Sequence, residues 1–368
     1  MIELNKQDMI DLLYGCAVLG TGGGGKIEHG FDIMKEDFEK GRTLKLAALD
    51  EIPDDAYITI PYGCGAPAAV GAELPPELAR LPKVDASAVI AFQELEKEIG
   101  QKFFAVSSAE LGGMNTAEAL HIACLLGIPL ADGDPAGRSV PELSQSTFYM
   151  KGLPSDPMAV VTKFGEVMIF RNMIDDLRIE TLVRAISMVS GDDISVCDHP
   201  MTGKQYREAI VPGAISYALK IGRLLRQAKE NGSDAASAIA SEMDGEVLFR
   251  GTVTDIPWEL RDGFQFGDIC LDGSGEYAGD KYRITFKNEN IASYKNERLD
   301  VTVPDLICMI DKNGDPMTTP DFSVGDEMNV IVLPAPEIWK CKEGLEIFGP
   351  RHFGIDADYV PFAERERF

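Results

Sequence analysis

The sequence predicts an α/β fold, with a parallel-sheet N-terminal domain that carries helices on both faces and a β-rich C-terminal domain. The first observation is that strand patterns alternate with amphipathic helix patterns between residues 56 and 132. Successive strands joined by helices pair in parallel through right-handed crossovers. The second observation is that short alternating runs broken by Gly, Asp and Asn follow from about residue 245, a pattern typical of antiparallel strands. We therefore expect an α/β domain over residues 1–170 and a mixed α+β domain over residues 171–368.

Each element of the first domain has its own signal in the sequence. The first helix follows Asn5, a capping residue, and has Asp8 in its first turn and apolar residues at helical spacing. A second helix is predicted over residues 26–41. Strands are predicted over 56–61, 102–108 and 128–132, and helices over 85–101 and 115–127. Two more helices are predicted over 179–191 and 210–232, and the second ends at Asn231-Gly232, a common helix stop.

Composition excludes several classes of protein. The 368-residue chain has 60 acidic and 35 basic residues, and its net charge of −25 repels nucleic acid phosphate and anionic lipid. No stretch approaches the roughly 20 apolar residues of a membrane helix, and the N-terminus lacks a signal-peptide pattern. We therefore expect a cytoplasmic protein that acts on a small molecule. The seven cysteines include no C-x-x-C pair, which argues against a disulfide framework and a structural zinc site. A homo-oligomer is expected because most soluble oligomers are symmetric assemblies of one chain.

A glycine-rich segment at residues 19–30, LGTGGGGKIEHG, matches two nucleotide-binding motifs in part. Gly20, Gly22 and Gly25 fit G-x-G-x-x-G, while Gly20, Gly25 and Lys26 fit the start of a Walker A loop. A Walker A loop needs Ser or Thr after the lysine, but Ile27 stands there. A dinucleotide-binding loop follows a strand, whereas this segment follows a predicted helix. We therefore interpret the loop as an exposed row of N–H groups that leads into the second helix.

Ligands of open parallel sheets bind at the carboxyl ends of the strands, and this rule selects three loops, at residues 62–67, 107–115 and 132–143. In the first loop, Cys64 lies between two glycines, so its thiol is a candidate nucleophile or metal ligand. The alternative is a passive cysteine. In the second loop, Glu110 lies near the strand end, and Asn115 is placed to cap the next helix. The alternative for Glu110 is a solvated loop acid.

The third loop carries Asp132 and Asp134, with Arg138 close behind. Residues two apart on an extended segment share a face, so both carboxylates could ligate a divalent ion or divide the roles of acid and base. The alternative is an Asp-Gly turn with a helix cap. Among the four histidines, His199 lies in a predicted loop and is the best candidate for a catalytic or metal-binding imidazole.

Eight segments between about residue 8 and the C-terminus carry a resemblance to a known family: GCAVLGTGGGG, GCGAP, SSAELGGMNTAEAL, LADGDPAGRSVPELSQSTF, ITFKNENI, VPDLICMID, VIVLPAPEIW and GLEIFGPRHFGID. Together they resemble the S-methyl-thiohydantoin desulfurase-like family, long catalogued as a domain of unknown function. The resemblance implies an α/β N-terminal domain and a β-rich C-terminal domain. It also implies a context of hydantoinase and oxoprolinase systems, in which the characterised activity is hydrolytic removal of a sulfur substituent from a thiohydantoin ring.

The resemblance puts the motif positions of the family on four loops, at residues 20–25, 63–67, 110–115 and 132–142. The last of these loops usually contains D-G-D-G-M-G-R-A-F-P-E-L in the family. Here Pro135-Ala136 replaces Gly-Met and Ser139-Val140 replaces Ala-Phe. This departure bears on the shape of the pocket and on the identity of the substrate.

The leading hypothesis is a hydrolase for a small cyclic amide, imide or thiohydantoin-like compound. Asp132, Asp134 or Glu110 would activate water, and the glycine loop would stabilise an oxyanion. A divalent metal ion is the cofactor to consider, with Asp132, Asp134 and His199 as its candidate ligands. Without a metal, Cys64 would join the carboxylates as a direct catalyst. The predicted substrate-binding residues are Thr21, Gly22, Gly23, Gly24, Gly25, Gly113, Asn115 and Arg138, the last of which would bind a substrate carboxylate.

Two alternatives belong to other functional classes. The first is a nonenzymatic ligand-binding or accessory subunit of a hydantoinase-type system, which would use the same cleft only to hold a ligand. The second is an ATP-dependent enzyme built on residues 20–26.

Overall fold

The computed structural model describes residues 1–65, 74–191, 194–261, 263–319 and 321–366. Its helices are α1 (Lys6–Leu19), α2 (Ile27–Lys40), α3 (Pro76–Ala79), α4 (Ser87–Ile99), α5 (Asn115–Leu126), α6 (Thr147–Met150), α7 (Asp176–Val189), α8 (Gly203–Ala209), α9 (Ala214–Asn231), α10 (Ala235–Glu242) and α11 (Lys342–Phe348). Its strands are β1 (Ile2–Leu4), β2 (Leu44–Ala47), β3 (Tyr57–Cys64), β4 (Phe103–Val106), β5 (Leu130–Ala131), β6 (Gly133–Asp134), β7 (Met158–Thr162), β8 (Val167–Phe170), β9 (Ile194–Thr202), β10 (Val211–Pro212), β11 (Glu246–Asp255), β12 (Trp258–Arg261), β13 (Phe264–Gly273), β14 (Lys281–Lys287), β15 (Glu289–Lys295), β16 (Arg298–Thr302), β17 (Leu306–Asp311) and β18 (Glu327–Leu333).

The first helix begins as its sequence predicts. The side chain of Asn5 accepts hydrogen bonds from the backbone N–H groups of Gln7 and Asp8, and the carboxylate of Asp8 accepts one from the N–H of Asn5. This reciprocal cap satisfies N–H groups that a helix start otherwise leaves without partners. The helix predicted over 210–232 begins later, at α9, because Gly213 adopts a left-handed conformation (φ 70°) and β10 pairs with β6.

The N-terminal sheet is mixed, with strand order β1-β2-β5-β4-β3-β9-β7-β8. Strands β2, β5, β4 and β3 are parallel, which confirms the pairing predicted from the helical connections, and their neighbours on both sides are antiparallel. Because β9 lies between β3 and β7, this sheet takes a strand from beyond residue 170. The N-terminal sheet therefore extends past residue 170.

Helices cover both faces of this sheet, as predicted. Leu12 of α1, Phe92 of α4 and Leu120 of α5 belong to the core on one face. Val183 of α7 and Tyr206 of α8 belong to the core on the other face. In the parts of the chain that are described, no helix is both long and apolar enough to span a bilayer.

The C-terminal sheet is antiparallel throughout, with strand order β16-β15-β14-β13-β11-β18-β17 and with β12 paired to β13. This confirms the predicted β-rich domain. Leu306 and Cys308 of β17 and Ile331 of β18 share one apolar core with Leu12 of α1 and Leu219 of α9. The second sheet is therefore held against the end of α1, where the glycine-rich segment begins.

Candidate functional site at the domain junction

The glycine loop lies beneath the C-terminal domain and is not the exposed row of N–H groups that the sequence predicted. Thr21 is fully buried, and its N–H donates to Val18 O over 3.2 Å. The N–H of Gly23 donates to Gly20 O over 2.8 Å. The loop carbonyls are covered as well, because the N–H of Asn290 donates to Thr21 O over 2.8 Å. The prediction failed because the strand that covers the loop lies far away in the sequence.

The glycines are required by the close approach of this second domain. A Cβ atom on Gly23 would lie 1.9 Å from Glu289 Oε1, which no real contact allows. A Cβ atom on Gly22 would lie 3.0 Å from both Asn290 Oδ1 and Thr319 Oγ1, and its φ of +90° strains any other residue. Both positions therefore favour glycine for a reason unrelated to a phosphate.

The second predicted loop packs against the other side of the glycine loop. Gly24 O accepts hydrogen bonds from the N–H groups of Met114 (3.1 Å) and Asn115 (3.2 Å). A Cβ atom on Gly113 would lie 2.9 Å from the backbone of Ile27. Similarly, a Cβ atom on Gly25 would lie 2.6 Å from Met114 Cβ. Gly24, Gly25 and Gly113 thus bring two loops into backbone contact.

Glu110 is held at this junction by groups on both sides. Its Oε2 accepts a hydrogen bond from the N–H of Val140 over 2.8 Å, and its Oε1 accepts one from the side-chain amide of Asn115. Asn115 therefore orients Glu110 and does not cap α5, where Met114 occupies the cap position. Burial raises the pKa of Glu110, although these two hydrogen bonds and the charge of Arg138 oppose the shift.

Asp134 is the most enclosed of the predicted acids. Its Oδ1 accepts hydrogen bonds from the N–H groups of Ala136 (2.8 Å) and Gly137 (2.6 Å), which fixes the turn after β6. Its Oδ2 is buried without a hydrogen-bond partner among the described residues. Burial raises the pKa of Asp134 to about 8, the two N–H groups oppose the shift, and the charge of Glu110 adds to it. A carboxylic acid that keeps its proton near neutral pH is suited to general acid catalysis.

Glu289 is another buried acid at this junction, and the sequence analysis did not single it out. It is 4% exposed at the start of β15, and its Oε2 has no hydrogen-bond partner within the described ranges. Burial raises its pKa well above the ordinary range, and the charge of Glu110 adds to this effect, while Arg138 opposes it. The charge of Glu110 therefore acts on both Asp134 and Glu289. We call Glu110, Asp134 and Glu289 the junction acids.

Arg138 joins the domains and already donates four of its five N–H groups within the protein, so it is not placed to bind the substrate carboxylate that the sequence analysis assigned to it. Its side chain is fully buried. Its Nη2 donates to Thr21 Oγ1 (2.7 Å) and to Asn290 O (3.0 Å). Its Nη1 donates to Asp305 O (3.2 Å), and its Nε donates to Ser139 O (3.0 Å). The hydroxyl of Thr21 accepts the hydrogen bond from Arg138 Nη2 and donates its own to Gly20 O, so both of its roles are already filled.

Asp132 faces away from the junction acids. Its Oδ2 accepts a hydrogen bond from Ser216 Oγ over 2.6 Å, and its Oδ1 accepts one from the N–H of Ser216 over 2.9 Å. The two carboxylates therefore bind different parts of the structure, because the chain bends at Asp132 between β5 and β6 and is not one continuous strand. The alternative interpretation of this loop, an Asp-Gly turn with a helix cap, agrees better with these contacts. No three His, Cys, Asp or Glu side chains in the described ranges are arranged to hold a metal ion, so Asp132, Asp134 and His199 do not form the predicted metal site.

His199 lies in a different environment, in a bulged part of β9. Its φ is 45°, and its ring packs 5.2 Å from that of Phe148. Its Nδ1 lies 2.8 Å from Asp198 Oδ1. Burial lowers the pKa of His199, but Asp198 and Asp176 outweigh this and raise it. These two aspartates, and not the junction acids, are its charged neighbours.

Cys64 ends β3 beside α7. Burial raises the pKa of its thiol, and the charged groups that act on it are Arg184 and Glu180. A protonated thiol is a weak nucleophile, so this environment does not favour the catalytic role predicted for Cys64. Ala66 and Pro67, at the end of the same predicted loop, lie outside the described residues.

A cavity of about 510 Å³ opens at the N-terminus of α2, next to the glycine loop. Lys26 and Ile27 line one side, and Thr318 and Asp321 line the other. Lys26 Nζ lies 2.5 Å from Asp321 Oδ1, so its charge is already neutralised. Further acids line the cavity: Glu28, Asp311, Asp315, Asp326 and Glu327. Such a lining repels phosphate and disfavours the ATP-dependent alternative.

Models of one family match both halves of the chain. The S-Me-THD-like N-terminal domain covers residues 7–172, and the S-Me-THD-like C-terminal domain covers residues 174–362. This chain belongs to the S-Me-THD-like family. The S-Me-THD-like chain also resembles an X-ray structure of a protein from Chromobacterium violaceum, with a TM-score of 0.79 and 23% identity over 98% of this chain and 100% of that one. That likeness confirms the two-domain fold. No curated protein matches the chain.

Proposed function

We propose that this S-Me-THD-like protein is a hydrolase that acts on a small cyclic amide, imide or thiohydantoin-like compound at the junction of its domains. The observation that carries the proposal is the environment of Asp134, a fully buried carboxyl group with one oxygen that has no partner among the described residues, whose pKa is also raised by the charge of a half-buried acid, Glu110. Two acids in different hydrogen-bonding environments can divide the roles of proton donor and proton acceptor. The family adds a thiohydantoin-related context.

In the proposed reaction, Glu110 takes a proton from a water molecule as the water oxygen attacks a ring carbon. Asp134 gives its proton to the nitrogen or sulfur that leaves. A C–O bond forms, and a C–N or C–S bond breaks. The proton that Glu110 took from water then passes to Asp134, which returns both acids to their starting states. Arg138 keeps the glycine loop and β15 together and takes no part in proton transfer. No step requires a metal ion.

The test is turnover of hydantoin and of an S-methylated thiohydantoin, followed by mass spectrometry of the products and by a thiol assay. Glu110→Gln and Asp134→Asn are expected to lower kcat by roughly 100-fold or more, because each removes a proton-transfer group. Glu337→Gln and Asp356→Asn are matched controls, since their side chains are 88% and 96% exposed.

The comparison between variants and controls decides the outcome. Unchanged kcat in both junction variants, with wild-type folding, refutes the proposed roles. Stabilisation of the wild-type protein by these rings without any turnover refutes the hydrolase and favours the ligand-binding alternative.

A further inference from the structure

Unpartnered oxygen atoms are concentrated around the glycine loop. Among the described residues, six buried side-chain N or O atoms have no hydrogen-bond partner. Four of them belong to the junction: Asp134 Oδ2, Glu289 Oε2, Asn290 Oδ1 and Thr319 Oγ1. Native proteins leave few buried polar atoms unpaired, because each one costs stability. Three of the four atoms belong to residues that lie against Gly22 and Gly23, and such a concentration is typical of a binding site.

Three of these atoms lie on one side of the loop and belong to the second domain. Asn290 Nδ2 donates to Ile307 O over 2.9 Å, which turns Asn290 Oδ1 toward Gly22. Thr319 Oγ1 faces the same glycine, and the carboxyl group of Glu289 lies against Gly23. Asn290 Oδ1 can only accept hydrogen bonds, whereas the Thr319 hydroxyl and the Glu289 carboxyl group can accept as well as donate them. The neighbouring cation, Arg138, donates to the backbone O of Asn290 and not to its side-chain oxygen. The complementary guest therefore offers N–H or O–H donors, whereas a carboxylate or phosphate offers only further acceptors.

We propose that Glu289 is a specificity-determining residue that selects ring compounds with free N–H groups, assisted by Asn290 and Thr319. This inference rests on the proposed function, because it concerns the same junction. Glu289 Oε2 would accept a hydrogen bond from a ring N–H, while Glu110 and Asp134 act on the ring carbon. A ring with alkylated nitrogens leaves Glu289 buried without a partner and is therefore rejected.

The cavity at the N-terminus of α2 leads toward these atoms, although none of Glu289, Asn290 and Thr319 lines it. Thr318, next to Thr319 in the chain, lines the cavity at the N-terminus of α2. The ion pair between Lys26 and Asp321 lies at the same cavity. To move inward past Thr318, a guest has to displace the side chains of β15 from the glycine loop. The backbone hydrogen bond from Thr319 N to Gly22 O (2.8 Å) also has to open, because it holds the Thr319 segment against the same loop.

The experiment compares binding of hydantoin with binding of 1,3-dimethylhydantoin, which has no N–H group. Calorimetry is performed in the Glu110→Gln background, so that turnover does not consume the ligand. Hydantoin is expected to bind at least roughly 10-fold more tightly than its dimethyl derivative, the effect of one buried hydrogen bond. Glu289→Met is expected to abolish this preference. Met has a similar length and no acceptor oxygen, so the variant is also expected to unfold at the same or a higher urea concentration.

A purely structural role for Glu289 predicts the opposite pattern, with lower stability and an unchanged preference, and that result overturns the inference. Equal binding of both rings to the parent protein, or binding of neither, overturns it too. The proposed function is tested separately by turnover. If hydantoin binds with N–H preference but is not hydrolysed by the wild-type protein, the proposed function fails while the role of Glu289 stands.

Discussion

Replacing Gly23 with Ala tests whether the glycine loop exists to admit the second domain. The added Cβ would lie 1.9 Å from Glu289 Oε1, 2.5 Å from its Cδ and 2.8 Å from its Cγ. Glu289 is 4% exposed, so its side chain has little room to move aside. The backbone of Gly23 is not in the left-handed region, and the expected effect is therefore purely one of space.

The expected loss in the free energy of unfolding is about 1–3 kcal/mol, the usual cost of overpacking a filled site. Gly63→Ala is the matched control, because its nearest atom would be Glu118 Oε1 at 3.6 Å, an ordinary contact. It should leave stability within about 0.5 kcal/mol of the wild-type value. Urea denaturation can be followed through Trp339, which is fully buried and whose indole N–H donates to Ala136 O over 2.7 Å.

A double-mutant cycle assigns the cost to its cause. Glu289→Ala removes all three atoms that the new Cβ would meet, so Gly23→Ala should cost less than about 0.5 kcal/mol in that background. The reasoning is refuted if Gly23→Ala is neutral in the wild-type protein. It is also refuted if the cost is the same with and without Glu289.

Three further predictions concern other groups. Burial raises the pKa of Asp134 from 3.8 to about 8, so the folded protein binds more protons than the unfolded protein between these pH values. The contribution of Asp134 to the free energy of unfolding is complete below about pH 4 and is lost as pH rises to about 8, with a slope of at most about 1.4 kcal/mol per pH unit. Urea denaturation at several pH values should show a shallower slope for Asp134→Asn than for the wild-type protein. An equal slope contradicts the assignment. Arg138→Lys should lower the free energy of unfolding by roughly 3 kcal/mol or more, because a lysine ammonium cannot keep the four hydrogen bonds that the guanidinium makes, three of them to segments far away in the sequence, whereas Arg351→Lys, 60% exposed, should change it by less than about 0.5 kcal/mol. Iodoacetamide at neutral pH should modify the exposed Cys341 well before Cys64, whose thiol pKa is raised by burial; mass spectrometry of the native protein checks this, and faster labelling of Cys64 would revive its catalytic candidacy.

Local patterns were sufficient for much of the fold. The capping residues of α1 act between neighbours in the chain, and the alternation of strands with helices leaves parallel pairing as the natural outcome for β3, β4 and β5. The same logic placed Glu110 and Asp134 at the carboxyl ends of strands, where loops converge. The antiparallel position of β9 between β3 and β7 had no comparable signal, because pairing between strands far apart in the sequence depends on where each strand comes to lie and not on its own pattern.

The amino-acid sequence by itself determined most helices and parallel strands of the first domain, which family the motifs resemble and which loops carry acids, since each depends on residues close together in the chain. Only the tertiary structure decided which of these groups meet. It turned Asp132 toward α9 and Asp134 into the junction, because a bend at Asp132 breaks the simple alternation of sides. It also laid Glu289 on Gly23, far away in the sequence, through the packing of a whole sheet against α1 and α9. Contacts of that kind depend on the position of entire elements, and no local pattern records them.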